Sequence, residues 1–281
     1  MAAGRTVPPA FPSCVQPPAR RVERYVSTTS CPETSTVGID VSPRAPLQLR
    51  PNASIYRIDG GWFKARWHFS FDRYDDPNNV GIGTLRVFNH DTLVPGAAWP
   101  MHPHRDIEGI TYVVSGQFEH ADSLGNDGVL EPGGVQRMRL GSGAEHSERN
   151  HSKTEPMEFI QMWILPSRRG LAPSIAQRQY TATDRTDRLL RFLKPEGAEG
   201  EGITVAQDVS MYVTTLSAAK AVEHVVGAGR GGYLYVISGA VRANDESMTK
   251  GDAAYLVDAG TLHLVASETS ELLLIDTPLA R

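Results

Sequence analysis

His102 and His104 stand one residue apart in MHPHRDIEGI (residues 101–110), and His146 and Glu148 repeat that spacing in AEHSERN (144–150). In an extended strand, residues i and i+2 face the same side. Each pair therefore aims two donors in one direction, provided its segment is a strand. Two imidazoles alone under-fill the shell of a catalytic metal. Three imidazoles and one carboxylate suit a divalent first-row ion (Fe, Mn, Co, Ni, Cu or Zn) and leave a position or two open when the ion takes five or six ligands. An open position is what substrate or oxygen chemistry requires. For any single histidine a hydrogen-bonded structural role is the default; the matched spacing of all four residues points to a metal centre.

The segments around these donors must then be strands. From Leu47 onward the chain is dense with strand-like runs, GTLRVFNHD, GITYVVSGQFEH, VQRMRL and MEFIQMWIL, separated by PG at 95–96, GND at 125–127 and PGG at 132–134. Short strands broken by regular turn signals indicate an all-β sandwich or barrel. The one good helical stretch, TATDRTDRLLRFLKPEG, lies between two β-rich halves.

The second half repeats the first. ITYVVSGQF (110–118) aligns with YLYVISGAV (233–241) at an offset of 123, and EPGGVQRMRLGSGAEHSE (131–148) with TKGDAAYLVDAGTLHLVA (249–266) at 118. MEFIQMWILP (157–166) loosely matches SELLLIDTPL (270–279) at 113. Ordered matches of this kind mean one fold used twice. The expected division is a tail over 1–46, an N-terminal barrel over 47–180 carrying the donors, a linker with a short helix over 181–200, and a C-terminal barrel over 201–281. The same shifts put Val225 and Gly227 where His102 and His104 stand, and Leu264 and Ala266 where His146 and Glu148 stand. A barrel that keeps its strands without the donors shows that fold maintenance alone does not call for them. The second barrel is expected to be structural.

Bulk properties narrow the partners. The 281 residues carry 28 Lys and Arg against 32 Asp and Glu, a net charge of −4 that disfavours a nucleic-acid backbone as ligand. No apolar run approaches the roughly 18 residues of a membrane helix. Both cysteines, Cys14 and Cys31, fall in the first segment, so neither a disulfide framework nor a thiolate site is expected in the barrels. That segment is rich in Pro, Ser, Thr and Arg and reads as a disordered tail. Glu23, Glu33 and the prolines argue against an organellar transit peptide. The expectation is a cytoplasmic monomer with no membrane partner.

Gly96-x5-His102-x-His104-x3-Glu108 and Gly143-x2-His146-x3-Asn150 resemble the two motifs of the cupin superfamily. With WHFSFDRYDDPNNVGIGTLRVFNHD, HPHRDIEGITYVVSGQFEHADSLGN, GSGAEHSERN, FIQMWILP and QRQY, residues 55–281 resemble the pirins, in particular the bacterial branch with quercetin 2,3-dioxygenase activity. The resemblance implies an all-β bicupin with one metal ion in its N-terminal barrel, held by His102, His104, His146 and Glu148. It implies Fe(II) as that ion, in a family that tolerates other divalent metals, and a flavonol-like substrate opened by O2 with release of carbon monoxide. Glu148 would also serve as the catalytic base. Glu108, the usual carboxylate ligand of the first cupin motif, is then expected as a buried carboxylate bonded to a ligand imidazole or to backbone. A second reading open to pirins is a non-catalytic, redox-sensing co-regulator or partner of another protein. Gly109, Ala144-Glu145 and Arg137 depart from the family pattern and bear on pocket shape. His120 is expected to line the cavity or make a structural hydrogen bond. His68, His90 and His224 are expected at the surface or in core packing, and the aromatics Trp62, Phe69, Phe71 and Trp163 in the core rather than as a substrate platform.

Overall fold

Met157–Ile164 carries buried residues on both faces, whereas Ala144–Asn150 alternates strictly between buried and open positions. A strand covered on both sides belongs inside a layered structure, and an alternating strand forms a wall with one face to solvent. The computed structural model, which describes residues 43–279, places them accordingly. Met157–Ile164 is the central strand of a seven-stranded sheet, in the order Ser174–Gln179, Gly134–Arg139, Glu108–Ser115, Met157–Ile164, Leu85–Leu93, Phe63–Trp67 and Tyr56–Asp59. Ala144–Asn150 lies in a four-stranded sheet between Ala98–His104 and Phe118–Asp122, with Asp127–Leu130 at the far edge. The two sheets form the first barrel.

A second pair of sheets repeats this plan. Seven strands run in the order Leu47–Arg50, Ala253–Leu256, Arg230–Ser238, Ser270–Pro278, Ser210–Leu216, Leu190–Pro195 and Ile203–Val205. Four more run Ala221–Val226, Gly260–Ala266, Ala240–Ala243 and Glu246–Thr249. The expected all-β bicupin is therefore present. The repeat extends to backbone detail: Gly116 and Gly239 both have positive φ, 76° and 83°, at equivalent hairpins. A Cβ on either would come within 2.8 Å of Met157 Cα or 2.7 Å of Ser270 Cα, so only glycine fits.

The large sheets pack back to back. Ile110, Ile160, Met162 and Ile164 from the first barrel share one core cluster with Tyr233, Tyr235, Leu273 and Ile275 from the second. Each fully buried apolar side chain there contributes about 1.5–3 kcal/mol. Alternate residues of the same strands face inward, so Val113, Met157 and Phe159 build the interior of the first barrel with Phe63 and Trp67.

Three boundaries differ from the sequence reading. Leu47–Arg50 pairs with Ala253–Leu256, so it completes the second barrel rather than opening the first. Residues 43–46 join it: Arg44 bridges Thr261 and Ala45 is buried. The rest of the expected tail, residues 1–42, lies outside the described residues. The linker helix shrinks to Ala182–Arg185, started by Asp184, whose Oδ2 accepts from the Thr181 N–H and hydroxyl at 2.7 Å each. Asp187 then turns left-handed, with φ 54°, and its carboxylate receives the Ser217 N–H at 2.7 Å. The following RLLRFLKP enters the second barrel as the strand Leu190–Pro195. Leu190, Phe192 and Leu193 are all fully buried there, helped by a bulge between Arg191 and Leu193. Tertiary burial overrides the helical pattern.

Candidate metal centre

His102 and His104 lie on Ala98–His104, and His146 and Glu148 lie on the adjacent Ala144–Asn150. The ladder sets His146 opposite His102, Ala144 opposite His104, and Glu148 opposite Trp99. Between the His146–His102 and Glu148–Trp99 pairs the register slips by one residue, a bulge at Pro100 and Met101. Bulges tolerate proline and re-aim side chains. Trp99, His102 and His104 consequently share the inner face. One potential ligand atom from each of the three histidines lies within 4.8 Å of the others, and the ring centroids are 4.6–5.3 Å apart. This three-histidine cluster can hold a metal ion.

The surroundings suit that role. The Nδ1–H of His102 donates to Pro100 O at 2.7 Å, which leaves Nε2 with its lone pair for a ligand. His146 is buried, and neither of its ring nitrogens has a hydrogen-bond partner among the described residues. Burial, with the neighbouring imidazoles, lowers His104 to about 4 and His146 to about 3. Both are thus neutral at ordinary pH, the form that binds metal. Glu148 Oε1 lies 3.7 Å from His146 Nδ1 and accepts from Gln161 Nε2 at 2.7 Å. Burial raises its carboxyl, opposed by His102, His120 and the Gln161 bond.

Gln161 was not legible as a site residue. It belongs to a row of inward side chains across the large sheet, in which Gln136, Thr111, Gln161 and Asn89 are successive ladder partners. Thr111 donates to Gln161 at 2.8 Å, and Gln136 donates to His120 Nδ1 at 3.1 Å. His120 in turn donates from Nε2 to Asp122 at 3.2 Å, so its role is a structural hydrogen bond. His68 and His90 each bond a tyrosine of the second barrel, Tyr233 and Tyr235, at 2.7 Å, and pack in the core as expected.

Glu108 does not support a ligand. It points the other way, out of the first barrel, because the ladder alternates and Ile110 and Tyr112 on the same face join the core between barrels. There it is fully buried, with Oε1 accepting from Arg139 Nε at 2.9 Å and from the Ala206 N–H of the second barrel at 3.1 Å. Arg137 Nε lies 3.8 Å away on Oε2 and donates from Nη1 to Ser174, which gives this departure from the family pattern a place between the barrels. Breaking a buried ion pair costs about 3–5 kcal/mol. Glu108→Ala is therefore expected to lower the urea midpoint without changing metal stoichiometry; reduced metal content in a folded variant would return Glu108 to the site.

A cavity of about 600 Å³ opens onto His102, His104 and Glu148. All four tryptophans of the chain, Trp62, Trp67, Trp99 and Trp163, line it with Phe71 and Phe159. Trp62, Phe71 and Trp163 line the cavity as well as packing, Trp62 and Phe71 against the barrel core and Trp163 against Phe71, while Phe69 is core against Tyr233. Their aromatic faces were indistinguishable from core in the sequence because they alternate into the same barrel interior. Trp163 meets the His104 ring edge-on, with centroids 4.7 Å apart. Its ladder partner is Gly109, where an added Cβ would meet nothing closer than 3.7 Å.

The second barrel supplies a corrected control. His120 pairs with Glu148, and the equivalent Ala243 pairs with Leu264, so the counterparts of His146 and Glu148 are Leu262 and Leu264. Leu262 faces His224, and Gly260 faces Val226. His224 and Val226 therefore stand at the positions of His102 and His104, one residue from the sequence alignment because the loop from Val226 to Gly232 is one residue longer than that from His104 to its ladder equivalent Gly109. His224 is bonded to Asp276 at 2.7 Å, and the remaining three counterparts are Val226, Leu262 and Leu264.

A family model described as Pirin matches residues 49–164, and one described as Quercetinase C-terminal cupin domain matches residues 193–277. The chain is 37% identical over 230 residues to a pirin-like protein of Caulobacter vibrioides, covering 82% of this chain and 99% of that one. It is 36% identical over 233 residues to quercetin 2,3-dioxygenase of Escherichia coli (strain K12), covering 83% and 99%. The crystal structure of the bacterial pirin YhhW from Escherichia coli in complex with nickel(II) matches with a TM-score of 0.78 at 33% identity, over 84% of this chain and 100% of that one.

Proposed function

This chain belongs to the pirin family, and on that premise we propose that it is a metal-dependent dioxygenase that opens the heterocycle of a flavonol such as quercetin with O2, releasing carbon monoxide. The observation that carries the reading is an aromatic-walled cavity of about 600 Å³ that opens onto His102, His104 and the buried carboxylate of Glu148, with His146 clustered against the two histidines. Its size falls within the roughly 300–1,000 Å³ of small-molecule sites. His102, His104, His146 and Glu148 would hold the ion, with Fe(II) as our assignment. The same donor set accepts Mn, Co, Ni, Cu or Zn.

When bound, the ion supplies positive charge that acidifies a flavonol hydroxyl and a coordination position open to substrate. The chain does the rest. Trp62, Trp99 and Trp163 offer flat walls for a planar ring system and exclude water from it. Glu148, made more basic by burial, takes the proton of the 3-hydroxyl. Gln161 keeps the Glu148 carboxylate turned toward the histidines. The flavonolate then reacts with O2, and one ring carbon departs as carbon monoxide.

The test is to supply quercetin in air to protein loaded with Fe, Mn, Co or Ni, following flavonol loss and carbon monoxide together. Metal bound at one ion per chain with no flavonol consumed would overturn the enzyme reading in favour of a regulatory pirin. A lesser effect follows from the Gln161 bond. Gln161→Leu is expected to weaken metal binding by about 10–100-fold, measured by competition with a chelator; unchanged affinity would show that Glu148 needs no such support.

A further inference from the structure

Two polar side chains in the cavity have no part in holding the histidines or Glu148. Asn89 and Asp91 lie two residues apart on Leu85–Leu93 and line the cavity together. Asn89 sits between Gln161 and Trp67 across the ladders, and Asp91 between Phe159 and Ala65. They are 3% and 6% exposed, and neither Asn89 Oδ1 nor Asp91 Oδ1 has a hydrogen-bond partner among the described residues. Their neighbours along the row are satisfied: Gln161 by Thr111 and Glu148, Gln136 by His120 and Gln177. The hydrogen-bonded row thus runs across the sheet to Gln161 and stops at Asn89, beside the cavity.

A buried polar group without a partner is uncommon and calls for an explanation, such as a ligand that completes it. We propose that Asn89 and Asp91 form a subsite that reads phenolic hydroxyl groups of the bound substrate. The inference rests on the flavonol reading of the site and adds the residues that select among flavonols. Aromatic walls bind any flat ring system and cannot reject one that merely lacks a hydroxyl. A buried polar pair can, because the deoxygenated analogue leaves both groups unpaired. Asn89 offers an amide donor and an acceptor. Asp91 adds a buried carboxyl two residues along the same strand face. Hydroxyl groups, which both donate and accept, can pair with the amide of Asn89 and with the carboxyl of Asp91.

The experiment measures binding by quenching of the four cavity tryptophans, in metal-loaded protein kept free of oxygen so that nothing turns over. The probes are quercetin and flavonols in which the hydroxyls of each outer ring are removed in turn. In the parent protein, one of these removals is expected to weaken binding by about ten-fold or more. In Asn89→Leu and in Asp91→Leu the same removal should cost less than about two-fold, while Asp91→Asn, which keeps hydrogen bonding, should retain the discrimination. Should Asp91→Leu fail to fold, Asn89→Leu decides alone. Equal binding of all probes by the parent, or discrimination unchanged in the leucine variants, overturns the subsite and leaves the flavonol reading standing. If no probe binds the parent, both fall together.

Discussion

Replacing His146 and Glu148 together with leucine is expected to abolish divalent-metal binding and still leave a folded protein. The second barrel carries Leu262 and Leu264, both fully buried, at the ladder positions of these two residues, so the fold accommodates leucine there. The substitution removes two buried ring nitrogens that lack partners, and a carboxyl whose charge burial disfavours. The metal-free variant should therefore match or exceed the parent in stability. The parent should gain about 4 kcal/mol from an ion present at about a thousand times its dissociation constant. At roughly 2–4 °C per kcal/mol for chains of this size, that is a shift read easily by thermal melting. The double variant should show none. A metal-dependent shift that survives in it would mean that the ion binds elsewhere.

The second large effect concerns chemistry rather than binding. Glu148→Gln keeps the size of the side chain and an oxygen that can accept from Gln161, but it removes the base. Turnover of flavonol should fall by about 10²–10⁴-fold, the usual worth of a positioned general base. Binding of the flavonol, read by tryptophan quenching at saturating metal, should change far less. This split separates proton transfer from site assembly: the His146 and Glu148 double variant loses the ion, whereas Glu148→Gln loses the rate. Turnover preserved in Glu148→Gln would assign the proton to another acceptor.

The features that were legible share one property, which is that they are local. Strand alternation relates residues two apart, so His102 with His104 and His146 with Glu148 could be read as same-face pairs before any ladder was known. The bulge does not disturb either pair, since it falls between Trp99 and His102. Turn glycines and the repeated SG dipeptides at 115–116 and 238–239 likewise announced one β-fold used twice. The helical reading of RLLRFLKP failed because its apolar spacing fits both periodicities, and the choice was made by the sheet that it joins.

Register and direction belong to the tertiary structure. The alignment of the two halves missed the counterparts of the donors by one or two residues, because the loops leading to these strands differ in length between the barrels and only the ladders show where the difference falls. Glu108 occupies a motif position, yet whether it faces the histidines or the second barrel depends on which side of its sheet the other barrel covers. The aromatic cavity depends on how the inward rings, in contact along the wall, leave space between them and the histidines. The sequence by itself determined the donors, their pairing and the doubled β-fold, since these follow from chemistry within a few residues of chain. Only the tertiary structure decided which sheet Leu47–Arg50 completes, where Glu108 points, and that Trp62, Trp99 and Trp163 line a cavity. Those outcomes are set by contacts between residues far apart in the chain, and local periodicity carries no information about them.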